Sequence, residues 1–255
     1  TGKKIHQTPV WYSFVYPATF HPEIPDNNKL YYLMGAMNTK PFSKFMQVVS
    51  PTLDYNPGPV GRGAVIFEEG HDDIYILVKE NLELSKYDWD SFETSWDFLY
   101  HPLLRHVSML SEAFEQWESE CNRRFDKMKS NEEELNRIFI GIYGLKNELT
   151  PQVEKKDVTV RKADIVRDIR SFISYAVGCM FGRYSLDEKG LIYAGGNWEC
   201  NKYETFIPDE DNCIPITDEE YFSDDIVGRF VEFVKAVYGT DTLEENLDFI
   251  ANALG

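Results

Sequence analysis

Apolar residues recur at intervals of three and four through the middle of the chain. They are Leu103, Val107, Leu110, Phe114, Trp117, Cys121, Phe125 and Met128. This spacing predicts one apolar seam along a helix of roughly 40 Å, at a rise of 1.5 Å per residue. Ser130 and Asn131 are predicted to end that helix and to cap a second one, which closes at Gly144. Two such helices indicate either an antiparallel pair or ordinary globular helices.

The same periodicity predicts three further helices, over residues 162–181, 224–238 and 242–254. In the last of these, Thr242 and Glu245 have the spacing of a capping box. The segment 186–215 is rich in loop-forming residues.

In the first hundred residues, the apolar runs that predict secondary structure are shorter. Apolar runs at 10–16, 64–67 and 74–78 are typical of strands, with a turn at 56–59 and a short helix at 29–37. We therefore predict an α+β fold. Its parts are a small β-containing N-terminal lobe (1–100), a long helical spacer (101–150) and a mainly helical, acidic C-terminal lobe (151–255).

Charged residues are distributed unevenly along the chain. The net charge is −17, and residues 199–255 hold fifteen acidic and three basic residues, so −12 of the total lies there. Between Arg161 and Arg183 the balance reverses, with five basic residues against Asp164 and Asp168. A net charge of this sign argues against a surface that simply coats DNA.

The basic segment supports a DNA-binding interpretation, because arginine binds phosphate with two parallel hydrogen bonds. Arg167 and Arg170 are three residues apart and share a helix face. The alternative is that this segment neutralises the acidic lobe through internal salt bridges. The candidate DNA-binding residues are Lys40, Lys44, Arg62, Arg161, Lys162, Arg167, Arg170 and Arg183.

Catalytic signatures are mostly absent. The chain has no G-x-S-x-G, P-loop or G-x-G-x-x-G motif, and its four cysteines form no C-x-x-C pair. The acidic residues between 209 and 225 lack the spacing of a calcium loop, which favours a solvated face over a metal site. We therefore predict no catalytic, cofactor-binding or metal-binding residues, and a piece of a larger protein without a complete active site.

No apolar run of about 18 residues and no leader sequence is visible, so we expect a soluble, cytoplasmic protein without a membrane partner.

Several short sequence segments resemble segments of a known protein family. They lie at residues 88–98 (DWDSFETSWDF), 134–151, 171–187 (SFISYAVGCMFGRYSLD), 218–227 and 246–251. From about residue 30 onward the chain resembles the region after the catalytic domain of BREX-type phage-defence adenine-specific DNA methyltransferases (PglX-like). Residues 37–40 (MNTK) and 52–58 (TLDYNPG) also look like the pattern that closes a target-recognition domain.

The resemblance implies methyl transfer from S-adenosylmethionine to the N6 of adenine by the parent enzyme, with double-stranded DNA as its partner. The N-P-P-Y-type motif and the Gly-containing cofactor motif of such enzymes are missing here, since the chain has no Pro-Pro. We expect that chemistry to lie N-terminal to Thr1, with no cofactor in this fragment.

Three functions remain open. The first is a DNA target-recognition and spacer region of an N6-adenine DNA methyltransferase of a phage-defence or restriction-modification system. The second is a protein-interaction module that docks partner subunits or other defence-system proteins through the acidic C-terminal lobe. The third is a metal-dependent nuclease that uses the acidic cluster.

Overall fold

The computed structural model describes residues 27–49, 60–217, 221–222 and 224–255. Within these residues every regular element is helical and no strand occurs. The predicted α+β fold with a β-containing N-terminal lobe is therefore wrong for the described chain. The predicted strand at 10–16, the turn at 56–59 and the TLDYNPG phrase at 52–58 lie outside the described residues.

The helices follow one another in the order α1 (Asn27–Met37), α2 (Lys40–Val49), α3 (Asp72–Asp90), α4 (Leu110–Ile142), α5 (Ile165–Met180), α6 (Ile226–Tyr238) and α7 (Leu243–Leu254). Single 3₁₀ turns lie at Lys155–Asp157 and Cys200–Lys202. None of the helices among the described residues is long and apolar enough to cross a membrane.

The chain divides into two compact units. The first comprises residues 1–86 and 123–161, and the second comprises residues 87–122 and 162–255. Both α3 and α4 contribute residues to each unit.

The run at 74–78 was predicted as a strand and is instead part of α3. Ile74 and Val78 are buried four residues apart, whereas Ile76 between them is exposed. Four-residue spacing brings two side chains to one helix face, while strand alternation would have placed Ile76 beside them. Ile74 and Val78 pack with Tyr32, Leu135 and other residues of α1 and α4 in the core of the first unit.

The run at 64–67 was also predicted as a strand, and it has no regular structure. Two tyrosine hydroxyls satisfy its backbone instead. Tyr143 donates to the carbonyl of Ala64 at 2.5 Å, and Tyr32 donates to the carbonyl of Ile66 at 3.0 Å. The segment is held without a neighbouring strand among the described residues.

The long helix α4 runs without interruption through the predicted break. It begins at Leu110, so that Leu103 and Val107 precede it, and the rest of the predicted seam lies on its inner face. Asn131 is buried inside it and donates from Nδ2 to Glu80 Oε2 and to Asn81 Oδ1, both at 2.9 Å. The predicted pair of helices is therefore one helix, and Gly144 (φ 68°) follows its end as predicted.

The second unit is built around one large apolar core. The first half of α4 supplies Leu110, Trp117 and Cys121, and α5, α6 and α7 pack against one another around them. Asp225 caps α6, which Gly239 ends at a φ of 90°. The capping box predicted for the last helix is wrong: Thr242 Oγ1 donates to the carbonyl of Ser108 at 2.6 Å and makes no cap bond.

Candidate nucleic-acid interface

The N-terminus of α5 is organised around Asp168, which is 2% exposed. Its carboxylate accepts hydrogen bonds from Trp117 Nε1 at 2.9 Å, from the Asp164 backbone N–H at 3.0 Å and from Arg167 Nε at 2.7 Å. Asp164 caps the helix by accepting from the Arg167 backbone N–H at 2.8 Å. The carboxylate thereby joins α5 to α4 within the second unit.

Arg167 is occupied by these contacts. Besides its ion pair with Asp168, its Nη2 donates to the carbonyl of Lys162 at 2.9 Å. Its guanidinium also lies 5.4 Å from the centre of the Phe92 ring, within range of a cation–π interaction. Its planar donors face the protein, so Arg167 fits the internal-salt-bridge alternative better than a phosphate contact.

Arg170 faces solvent on the same helix. Its side chain is exposed, and it makes no hydrogen bond or ion pair with any residue in the described part of the chain. It is a cation available for an external anion.

Arg183 is exposed as well, and its backbone is held firmly. Its N–H donates to the carbonyl of Gly178 at 2.8 Å, and its own carbonyl accepts from Ile192 N–H at 2.9 Å. Arg183 interacts electrostatically with Glu93. Burial raises the pKa of the Glu93 carboxyl, and the hydrogen bond from Ser174 and the charge of Arg183 oppose this effect. A fixed backbone beneath an exposed guanidinium gives a defined position for an anion contact.

An aromatic cluster next to Arg183, in which Trp198 is exposed and Tyr203 is buried, was not anticipated from the sequence. Trp198 stacks on Tyr203 with ring centres 4.8 Å apart, and Tyr193 meets Trp198 edge-on at 5.1 Å. Trp198 covers Gly182, where a Cβ atom would lie 2.5 Å from its ring. Gly182 has a φ of 70°, and its carbonyl accepts from the Tyr203 hydroxyl at 2.6 Å. Only the fold brings these distant positions together.

The other candidates lie elsewhere. Lys40, Lys44, Arg62 and Arg161 belong to the first unit, whereas Lys162, Arg167, Arg170 and Arg183 belong to the second. Lys44, Arg62 and Lys162 are exposed, and Arg161 and Lys162 each already take part in an interaction. Lys40 begins α2, where its backbone N–H donates to Asn136 Oδ1 at 2.8 Å. The phrase at 37–40 thus forms the anchored corner between α1 and α2.

The acidic segment forms its own local hydrogen bonds. The backbone N–H of Cys213 donates to Asp209 Oδ2 at 3.1 Å and to Asp211 Oδ1 at 2.9 Å. Among the residues that the structure describes, no group of three His, Cys, Asp or Glu side chains is arranged to hold a metal ion.

Two curated proteins are similar to this chain over most of its length. The chain is 44% identical over 238 residues to the adenine-specific methyltransferase PglX of Lacticaseibacillus casei (strain Zhang), covering 90% of this chain and 20% of that protein. It is 33% identical over 256 residues to the adenine-specific methyltransferase BrxX of Escherichia coli O9:H4 (strain HS), covering 90% of this chain and 21% of that protein. No protein-family model matches the chain.

The chain thus spans about a fifth of the length of the curated relatives it matches. It is homologous to one segment of the adenine-specific methyltransferases PglX and BrxX, which confirms the resemblance drawn from its sequence.

Proposed function

We propose that this chain is a DNA-contacting and spacing region of a phage-defence adenine-specific DNA methyltransferase and is inactive by itself. The observation that carries the proposal is the 44% identity to one fifth of such a methyltransferase. Arg170 and Arg183, exposed on the second unit, supply the contacts to DNA.

The residues that the structure describes form no site that fits S-adenosylmethionine. Nucleotide-type cofactors are commonly gripped by a glycine-rich turn between a strand and a helix. The described residues contain no strand, and the glycine-spaced segment that ends at Gly63 leads into an irregular stretch and not a helix. In this proposal the cofactor and the methyl-transfer chemistry belong to other parts of the enzyme, and double-stranded DNA reaches this chain through the parent protein.

Charge decides where DNA could approach. Phosphate contacts supply most of the non-specific affinity for DNA, and the acidic C-terminal residues oppose them. Arg167 is neutralised by Asp168, so Arg170 and Arg183 are the members of the basic segment with exposed guanidinium groups. Trp198, which is 47% exposed and stacks on the buried Tyr203, covers Gly182 next to Arg183 and offers a flat face for a sugar or base.

Salt-dependent binding of duplex DNA tests the proposal. We expect the double variant Arg170→Glu/Arg183→Glu to bind a labelled duplex at least ten-fold more weakly, measured by fluorescence anisotropy. We also expect the slope of log affinity against log salt to fall by about two, because each phosphate contact contributes about one.

The matched control is Lys79→Glu/Lys235→Glu, which changes net charge by the same amount at two exposed lysines outside the basic segment. Affinity in this control should fall by much less. Equal losses in both variants would mean that overall charge alone governs binding, and an unchanged Arg170→Glu/Arg183→Glu variant would remove these residues from the interface.

A further inference from the structure

Four large apolar side chains are exposed around the start of α6. They are Ile207 (60% exposed), Ile216 (85%), Tyr221 (70%) and Phe222 (57%), which we call the apolar patch. Monomeric proteins rarely expose several large apolar side chains close together, and such groups rimmed by polar residues mark interaction sites. The second unit has a large buried core, so the absence of a core does not explain why these four side chains are exposed.

The segments that carry the patch are fixed to one helix. The Arg229 guanidinium donates to the carbonyl of Ile207, and Ile226 N–H donates to the carbonyl of Pro215 at 2.9 Å. Arg229 and Ile226 are three residues apart and therefore lie one turn apart on α6. Ile207 and Ile216 are thus held beside the same part of the helix.

Asp225 fixes the remaining two residues. It is fully buried, and its Oδ2 accepts from the backbone N–H groups of Tyr221 at 2.6 Å and Phe222 at 3.2 Å. The same oxygen accepts from the Thr217 hydroxyl at 3.1 Å, while Oδ1 caps α6 through Gly228 N–H at 2.8 Å. A single buried carboxylate therefore presents Tyr221 and Phe222 to solvent in a defined arrangement.

The segment that carries the patch is acidic along its sequence. Residues 207–225 contain eight Asp or Glu residues and no Lys, Arg or His. Arg229, the nearest cation along the chain, is engaged by Glu232 at 2.6 Å and stacks over Phe206 at 4.7 Å. Apolar centres with a charged rim are typical of protein interfaces, and a negative rim selects a positive partner.

We propose that the apolar patch docks a basic segment of another protein, in which apolar anchor residues are surrounded by lysine or arginine. Its anchors contact Ile216, Tyr221 and Phe222, and its cations face Glu210 and Asp224. DNA is disfavoured at this surface because the rim repels phosphate. A second copy of this chain is also disfavoured, since each copy carries a net charge of −17.

A defined peptide tests the docking proposal. The probe is a fluorescent amphipathic helical peptide with leucines on one face and lysines on the other, and its counterpart has glutamate in place of every lysine. We expect the intact chain to bind the lysine peptide and not the glutamate peptide. Ile216→Ser/Phe222→Ser should weaken binding at least ten-fold, because both substitutions remove apolar contacts without changing charge.

The matched control is Ile76→Ser, at an apolar side chain that is 61% exposed on α3; its affinity should stay within two-fold of the wild type. Glu210→Gln/Asp224→Asn should weaken binding mainly at low salt. Unchanged affinity in Ile216→Ser/Phe222→Ser, or equal binding of the glutamate peptide, would overturn the proposal.

Two further measurements test the alternative ligands of the apolar patch, which are duplex DNA and a second copy of this chain. Ile216→Ser/Phe222→Ser should bind duplex DNA like the wild type, so a loss of DNA affinity would assign the patch to DNA and overturn the docking proposal. Sedimentation that reveals dimers abolished by the same variant would assign the patch to a second copy, with the same consequence. Neither result depends on Arg170 or Arg183, so the DNA-contact proposal can fail independently.

Discussion

At the scale of single residues, the protonation of His101 is controlled by its buried surroundings. Its Nδ1 accepts from Leu103 N–H at 3.2 Å, so the ring hydrogen lies on Nε2, which is 3.1 Å from Ser171 Oγ. The Phe172 and Tyr175 rings lie 5.6 and 6.0 Å away. Because a charged ring would lose its hydration in this core, burial lowers the pKa of His101 to about 3.

This pKa predicts a loss of stability in mild acid. In the unfolded chain His101 takes up a proton below pH about 6.5, whereas in the folded chain it stays neutral down to about 3. Protonation of His101 therefore stabilises the unfolded state as the pH falls through this window. The free energy of unfolding decreases by about 1.4 kcal/mol per pH unit. We expect His101→Gln to reduce the fall in unfolding free energy between pH 7 and pH 5, measured by urea denaturation. Parallel curves for wild type and variant would contradict this.

Arg167 belongs to the same scale, because its role is decided by individual contacts. Its bonds to Asp168 and to the carbonyl of Lys162 join the first turn of α5 to the segment that precedes it. We expect Arg167→Gln to lower the unfolding free energy by about 2 kcal/mol, since it leaves the buried Asp168 carboxylate without its cation.

The same variant should leave DNA affinity nearly unchanged, in contrast to Arg170→Glu/Arg183→Glu. Denaturant unfolding and anisotropy on one preparation of the protein compare the two effects. A large loss of DNA affinity at unchanged stability would restore Arg167 as a phosphate contact.

At the scale of elements, the continuity of α4 predicts whether a substitution at Ser130 stabilises or destabilises the protein. Ser130 is exposed in the interior of a helix that extends from Leu110 to Ile142. Alanine has the higher helix propensity, so Ser130→Ala should stabilise the protein by about 0.5 kcal/mol. Had Ser130 capped a second helix, the same substitution would destabilise by about 1 kcal/mol. Denaturant unfolding of the two proteins gives the sign, and a clear destabilisation would indicate a break in α4.

Most elements predicted correctly have long periodic patterns, and the short helix predicted at 29–37 is also present, as α1 (Asn27–Met37). The seam from Leu110 to Met128 and the glycines that follow α4 and α6 are present. The three helices after residue 160 are present too, and their predicted ends lie within three residues of the observed ones. The runs at 64–67 and 74–78 were predicted wrongly, because four or five apolar residues fit either a buried strand or one face of a helix. Contacts with distant helices decided between these alternatives.

The break predicted at Asn131 failed for a related reason. Asparagine favours helix ends when its side chain bonds to its own backbone. Here Asn131 bonds to Glu80 and Asn81 across the first unit, so its polar groups are satisfied inside the helix. A sequence pattern that considers only local bonds does not include this compensation.

At the scale of the whole molecule, charge separates two kinds of surface. The net charge is −17, of which −12 lies in residues 199–255. In our proposals DNA meets the exposed arginines of the basic segment, while the apolar patch meets a basic protein. Both associations should weaken as salt rises, but only the second should retain a contribution from apolar contacts.

The candidate site was predictable only in part. The sequence determined that basic residues concentrate between Arg161 and Arg183, because composition and helical spacing are local properties. Which of them face solvent depended on residues far away along the chain. Trp117, 51 residues before Asp168, helps to hold the carboxylate that occupies Arg167.

The sequence by itself determined the relationship to PglX and BrxX, the long amphipathic helices and the concentration of acid near the C-terminus. These features depend on residue order and on local periodicity. The tertiary structure alone decided that every regular element of the described residues is helical, that α4 is continuous and that Arg167 is neutralised. It also assembled Tyr193, Trp198 and Tyr203 beside Arg183 and the apolar patch around Asp225. Each of these outcomes depends on burial and hydrogen bonds between distant residues, whose free energies outweigh local preferences.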